Sequence, residues 1–233
     1  MHPTNKTARV AGALYVFLGL TAPLSLIYIP RTLIVPGNAT ATAHRILASE
    51  SLFRMGIVSE LVAATITIFL VMTLYRLLNG VNKMHASLMV ILGALVSVPI
   101  SFISVVNEIV ALRLLHDADF LSVFSRPQLD ALAMLFLSLH IKGLLVEEIF
   151  WGLWLFPFGL LVMRSGFLPR ILGVLLIVNG FAYLATSLTG LLLPDYASVV
   201  NRFALIPETG ELWIMLWLLI KGAKVQPLVA VTA

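Results

Sequence analysis

Apolar residues fill six long stretches of this chain, at roughly 9–29, 55–75, 86–112, 143–163, 168–193 and 204–220. Each is close to the run of about 20 residues that crosses a hydrocarbon core as a helix. The expected fold is therefore all-α: a polytopic membrane protein, a bundle of six transmembrane helices. The stretches are joined by short connections, so residues 1–233 are read as a single integral membrane domain without a soluble appendage. The first stretch is too long for the apolar core of a signal peptide, and no small-x-small cleavage site precedes a polar mature chain. No internal repeat is visible, which argues against an inverted-repeat transporter.

Two segments on one side of the bundle extend the pattern. After Pro36-Gly37-Asn38, residues 39–54 read as a helix running into the second span. Pro127 follows Ser125 at a favoured position for a helix start. The 39 residues from Arg126 to Arg164 would reach about 58 Å as one helix, nearly twice a bilayer core. Either this helix breaks near Gly143, or residues 128–140 project as an amphipathic cap. Pro157 should kink the fourth span.

Composition narrows the class further. With 60% hydrophobic and 11% charged residues, against about 45–50% and about 25% in soluble domains, a soluble enzyme, a disordered chain and a nucleic-acid module are excluded. The pI of 9.6 instead reflects Lys and Arg collected in loops. Lys6, Arg9, Arg76, Lys83, Arg164, Arg170, Lys221 and Lys224 fall on one side, with no acid. Arg31, Arg45, Arg54, Arg113, Arg126 and Arg202 fall on the other, among Glu50, Asp117, Asp119, Asp130 and Asp195. The basic side is read as the cytoplasmic face of a prokaryotic inner membrane, with both termini on it. There is no cysteine, hence no disulfide and no thiolate metal site.

The segments LIVPGNATATAHRILASESLFRMGIVSELV (33–62), RSGFLPRILGVLLIVNGFAYL (164–184) and the C-terminal ELWIMLWLLIKGAK resemble a prokaryotic membrane family known as domain of unknown function 4386. The resemblance covers nearly the whole chain, and 164–173 is its most specific part. It implies a multi-pass inner-membrane protein and carries no activity with it. It also implies a histidine on the approach to the fourth span, here His140. The Glu147-Glu148 pair is less typical of that family, so its role belongs to this chain.

Ionisable groups inside spans are costly and usually face a bundle interior or a cavity. Counted from the basic ends at 1.5 Å per residue, Glu60, Glu147 and Glu148 lie at about 24–26 Å, Glu208 at about 20 Å and Glu211 at about 15 Å; Asn107, Glu108 and His140 lie near 36 Å. Six carboxylates from four helices thus gather in the outer half, with Lys142, Arg54 and Arg202 at the same level. Asn179, Tyr183, Thr186 and Ser187 of the fifth span face them. The expectation is an acidic pocket with an apolar floor, roofed by the outer extensions. Its candidate catalytic residues are Glu147, Glu148 and His140, a carboxyl acting as general acid and the imidazole or a second carboxylate as base. Glu60, Asn107, Glu108, Lys142, Tyr183, Glu208 and Glu211 are the candidate binding residues.

Plainer readings compete. Outer-half carboxylates would be solvated near the headgroups, and Glu208 and Glu211 would be ordinary first-turn acids after Pro207. Glu50 and Arg54 form an i,i+4 surface pair. One His with carboxylates suits Zn, Mn or Fe. However, no HxxxH or HExxH accompanies it, and His2, His44, His85 and His116 sit in loops or ends, so no metal or cofactor is expected. Trp151, Trp154, Trp213 and Trp217 read as packing or lipid contact. The favoured function is an intramembrane enzyme or binding protein for a lipid-like or isoprenoid molecule. A proton- or cation-coupled carrier and a structural or sensory subunit stay open as alternatives. The bilayer is the one certain partner. A second copy of the chain also stays open, because apolar faces look alike toward lipid and toward a neighbour.

Overall fold

Asn38 closes the loop after the first span and starts a helix, its Oδ1 accepting the Ala41 amide at 2.9 Å; Asn82 does the same for His85 at 2.9 Å. These are N-caps, which satisfy amides that no helical carbonyl can reach. At Ser125 the main-chain amide donates to Gln128 Oε1 at 2.8 Å, half of a capping box. The computed structural model describes residues 3–116 and 119–224, so His2 and Asp117 lie outside the described residues.

The helices are α1 (Pro3–Pro23), α2 (Ile29–Leu33), α3 (Ala39–Ala48), α4 (Glu50–Leu78), α5 (Lys83–Val90), α6 (Ser97–Leu115), α7 (Arg126–Arg164), α8 (Arg170–Leu192), α9 (Ala197–Ala204) and α10 (Gly210–Ile220). Five uninterrupted helical stretches are long and apolar enough to cross a membrane: Thr4–Leu33, Glu50–Leu78, Lys83–Leu115, Arg126–Arg164 and Arg170–Leu192. A further helix pair meets the same test of length and apolarity only when its two halves are counted together. Pro194–Ala204 and Pro207–Ile220 meet at 50°, because Pro207 has no amide to continue the helix.

Three further differences from the sequence reading have local causes. Residues 39–54 are two helices rather than one. Ser49 leaves helical geometry at φ −131°, ψ 40°, turning the chain between α3 and α4. The α7 stretch is one unbroken helix of 39 residues. Its buried positions Leu129, Ala133, Leu137, His140, Glu147, Trp154, Phe158 and Leu161 recur at three, four or seven residues, so one face stays covered along its length. His44 and His85 lie on α3 and α5, not in loops.

The first and third spans each contain a π-helical turn, Leu24–Tyr28 and Ile91–Val96. Such wide turns interrupt the regular ladder and recur at functional sites.

The two ends of the described residues meet on one face, where Asn5 Oδ1 accepts the Ala223 amide at 3.3 Å and the Phe167 carbonyl accepts the Lys224 amide at 3.1 Å. The opposite face is capped by α3 and the first turns of α7. Two apolar clusters result. One, around Leu74, Leu78, Phe158, Leu161 and Leu218, fills the terminal end. The other, around Ile46, Phe53, Ile57, Leu129 and Leu137, fills the capped end. Around the girth Phe69, Ile103, Ile171 and Phe181 are exposed, as expected of side chains that face lipid.

The most extensive helix pair is α7 with α8. A Cβ on Gly152 would lie 2.7 Å from the Gly180 carbonyl, and one on Gly159 would lie 2.6 Å from that of Gly173. Only glycine permits this backbone-to-backbone approach. The turn between the two helices uses Gly166 at φ +73°, a left-handed conformation that side chains disfavour.

Candidate functional site

Between the two apolar clusters lies a polar layer. Ser97, Ser101, Ser104 and Glu108 occupy one face of α6, at steps of four, three and four residues. His140 and Glu147 come from the buried stripe of α7, and Glu60 from α4. All seven are buried, with Glu60, Glu108 and His140 at 5–6% exposure and Glu147 at 2%. Glu147 Oε1 accepts hydrogen bonds from Ser97 at 3.0 Å, Ser101 at 2.5 Å and Trp151 Nε1 at 2.9 Å.

His140 is oriented by the main chain. Its Nδ1 lies 3.1 Å from the Ser104 carbonyl, which can only accept, so Nδ1 carries the hydrogen and Nε2 keeps its lone pair. Nε2 lies 3.6 Å from Glu60 Oε2 and 3.7 Å from Glu108 Oε1. Glu60, Glu108 and His140 offer donor atoms within 4.8 Å of one another, a set able to hold a metal ion. Gly143 brings α6 and α7 together here, since a Cβ on it would overlap the Ser104 side chain.

A second acidic group stands opposite. Tyr15 donates to Glu211 Oε1, Asn179 Nδ2 to Glu211 Oε2 at 3.3 Å and Thr186 to Glu208 Oε1 at 3.1 Å; Tyr183 is within hydrogen-bonding reach of Glu211. A cavity of about 260 Å³ separates the two groups. Glu60, Ser101, Glu147, Glu208, Glu211 and Tyr183 line its polar part, and Leu18, Ala22, Ala63, Val98, Trp154 and Met215 its apolar part. Both π-helical turns touch it, through Ser25 and Leu26 in one and Gly93 in the other. Gly93 lies against the Trp154 ring, which a Cβ would approach to 2.9 Å.

The sequence-predicted residues sort clearly. Glu60, Glu147, Glu208, Glu211 and Tyr183 line the cavity, whereas Glu148, about 100° further round α7, turns away from Glu147 and lies in electrostatic reach of Glu208. His140 faces Glu60 and Glu108, not the Glu147-Glu148 pair of its own helix. Asn107 does not join them: Nδ2 donates to the Ile103 and Ser104 carbonyls at 3.2 and 3.3 Å. Lys142 is exposed and reaches the Gly190 carbonyl at 3.4 Å. Arg54 pairs with Glu50 at 2.6 Å on the surface, and Arg202 is exposed.

The solvated reading fails for Glu60, Glu108 and Glu147, which are buried. Glu208 and Glu211 are first-turn acids and cavity residues at once. Trp154 stacks on Phe158 at 5.4 Å and Trp151 meets Tyr183 edge-on at 6.1 Å, but both also line the cavity, and Trp151 donates to Glu147. The sequence reading missed Ser97, Ser101, Ser104 and Tyr15. A polar stripe at helical spacing ending on Glu108 was the signal for the serines; Tyr15, alone in an apolar span, gave none.

Fold and site together define a multi-pass α-helical membrane protein with buried carboxylates at mid-bundle. The chain belongs to the family described as domain of unknown function DUF4386, whose model matches residues 10–222. It is also similar to an uncharacterized protein of Archaeoglobus fulgidus, 34% identical over 82 residues, or 35% of this chain and 48% of that protein. The matched stretch thus spans about half of that relative's length. No solved structure matches.

Proposed function

We propose that this protein is an intramembrane binding protein or enzyme for a lipid-like molecule whose polar end donates hydrogen bonds. The amphipathic build of the cavity carries this reading. Four carboxylates and Tyr183 line the polar part, an apolar floor lies beneath, and no Lys or Arg is among the lining residues. An anionic headgroup has no counter-charge there, whereas a hydroxyl or amine finds acceptors in Glu208 and Glu211.

At about 260 Å³ the space is below the roughly 300–1,000 Å³ usual for drug-sized ligands. It suits a headgroup and the first part of an apolar chain, the remainder lying in the bilayer. Gly19 and Leu212 line the cavity and are also exposed, which sets its mouth between α1 and α10. Met215 lies across this mouth, its Sδ 3.5 Å from where a Cβ of Gly19 would stand. Glu147 is the candidate proton donor to the ligand. Glu148 and His140 stand behind the lining, so the imidazole acts through Glu60.

The basic residues gathered at the terminal face, with no acid among them, support a single membrane domain in the inner membrane of a prokaryote, with cytoplasmic termini. The decisive experiment is extraction of the protein purified in native-lipid nanodiscs, with mass spectrometry of what it retains. A stoichiometric hydroxyl- or amine-bearing lipid, lost in Glu147→Gln and Glu208→Gln variants, is expected. Lipids in bulk bilayer proportions, unchanged by either substitution, would refute the reading.

A further inference from the structure

Glu60, Glu108 and His140 come from α4, α6 and α7, three separate helices, and converge at the capped edge of the polar layer. Their separations distinguish between explanations. Nε2 at 3.6 and 3.7 Å from the two carboxylates is too far for a hydrogen bond, which needs about 2.7–3.2 Å. Ligand bonds of about 2.0–2.2 Å to a tetrahedral ion set neighbouring donor atoms roughly 3.4 Å apart. The two distances from Nε2 are close to that value, and all three donor atoms lie within 4.8 Å of one another.

The unpartnered atoms support the same centre. Glu60 is 95% buried by its 5% exposure, yet neither of its carboxyl oxygens has a hydrogen-bond partner among the described residues, nor has Glu108 Oε2. Ionised, Glu60 lacks a donor; protonated, it lacks an acceptor. Buried polar atoms are rarely left so. Were both carboxylates ionised beside a neutral imidazole, the cluster would hold two negative charges, and among the described residues no Lys or Arg pairs with either of them.

The imidazole is prepared in the manner of a metal ligand. The Ser104 carbonyl takes the Nδ1 hydrogen and fixes the ring, the outer support that ligating histidines almost always have. Gly143 permits that carbonyl to come close.

We infer that Glu60, Glu108 and His140 bind a divalent transition-metal ion, of the Zn, Mn or Fe(II) class that mixed carboxylate–imidazole sites select. Three protein ligands leave coordination positions open, the arrangement of metal sites that bind water or substrate. Because Glu60 also lines the cavity, an open position can face the cavity's polar part. The inference stands independently of the lipid-like ligand proposed above, since its readout is metal content and not retained lipid.

The test uses full-length protein in nanodiscs, stripped with chelator and then dialysed against Zn²⁺ alone or Mn²⁺ alone. Metal content by mass spectrometry should approach one ion per chain with at least one of them. Affinity should fall more than about tenfold in Glu60→Gln, Glu108→Gln and His140→Ala, while Glu147→Gln and Glu211→Gln, which alter other cavity acids, keep it. Electron paramagnetic resonance of the Mn²⁺ form gives a second readout should one variant misfold. No bound metal in the wild type overturns the inference. So does equal binding after His140→Ala, or loss in Glu211→Gln as great as in Glu60→Gln, which would indicate diffuse attraction to an acidic cavity.

Discussion

Gly143 on α7 lies so close to Ser104 on α6 that a side chain at the glycine would occupy the serine's place, and Ser104 is the residue whose carbonyl orients His140. The contact couples helix packing to the geometry of an imidazole one turn away. Replacing Gly143 with alanine should destabilise the protein by about 1–3 kcal/mol, the usual cost of overpacking. It should also weaken metal binding by about 10–100-fold, as lost outer-shell support does. Thermal unfolding and Zn²⁺ titration of the same sample check both effects. Unchanged values in both would mean the helices yield without cost.

The hydroxyls of Ser97 and Ser101 converge on one oxygen of Glu147. Intramolecular hydrogen bonds contribute about 0.5–1.5 kcal/mol each, so the double change Ser97→Ala with Ser101→Ala should lower stability by roughly 1–3 kcal/mol. Adding Glu147→Leu should recover part of this, because an apolar partner no longer needs donors. Chemical denaturation in detergent micelles reads the difference. If the triple variant is no more stable than the double, the hydroxyls serve some purpose other than holding Glu147.

The glycine seam between α7 and α8 predicts a sharper loss. Gly159→Val places a branched side chain against the Gly173 carbonyl and Ile177. This helix pair should then separate, with loss of folded protein on size exclusion, whereas Gly80→Val, with nothing within 4 Å of its added Cβ, should leave the profile intact.

Orientation in the membrane can be read directly because the chain has no cysteine. Val123→Cys at the capped face and Met84→Cys at the terminal face introduce single thiols at positions 80% and 79% exposed. In intact cells an impermeant maleimide should label the first and spare the second. The reverse pattern would invert the proposed topology.

Much of the architecture was legible because a bilayer imposes simple rules. Span length follows from hydrocarbon thickness, and Asn38 and the Ser125–Pro127 segment mark helix starts by residue type. Legibility ended where the outcome depended on other helices. Nothing near Ser49 distinguishes a corner from a continuing helix, since serine is ordinary in both. The burial of several acids could be inferred from the cost of charge in a membrane. Which acid meets which partner could not, because it depends on the rotation of each helix about its own axis. The sequence reading grouped His140 with Glu147 and Glu148 as candidate catalytic residues, but its neighbours come from α4 and α6, far away in sequence.

The two apolar clusters have a mechanical consequence. One grips the helices at the terminal end and the other at the capped end, so the bundle is clamped above and below its waist. Cohesion of the molecule does not depend on the middle being oily. The waist can therefore tolerate unpaired carboxylates, a widened helical turn in each of two spans and an open space between them, features that would loosen a bundle held only at its centre.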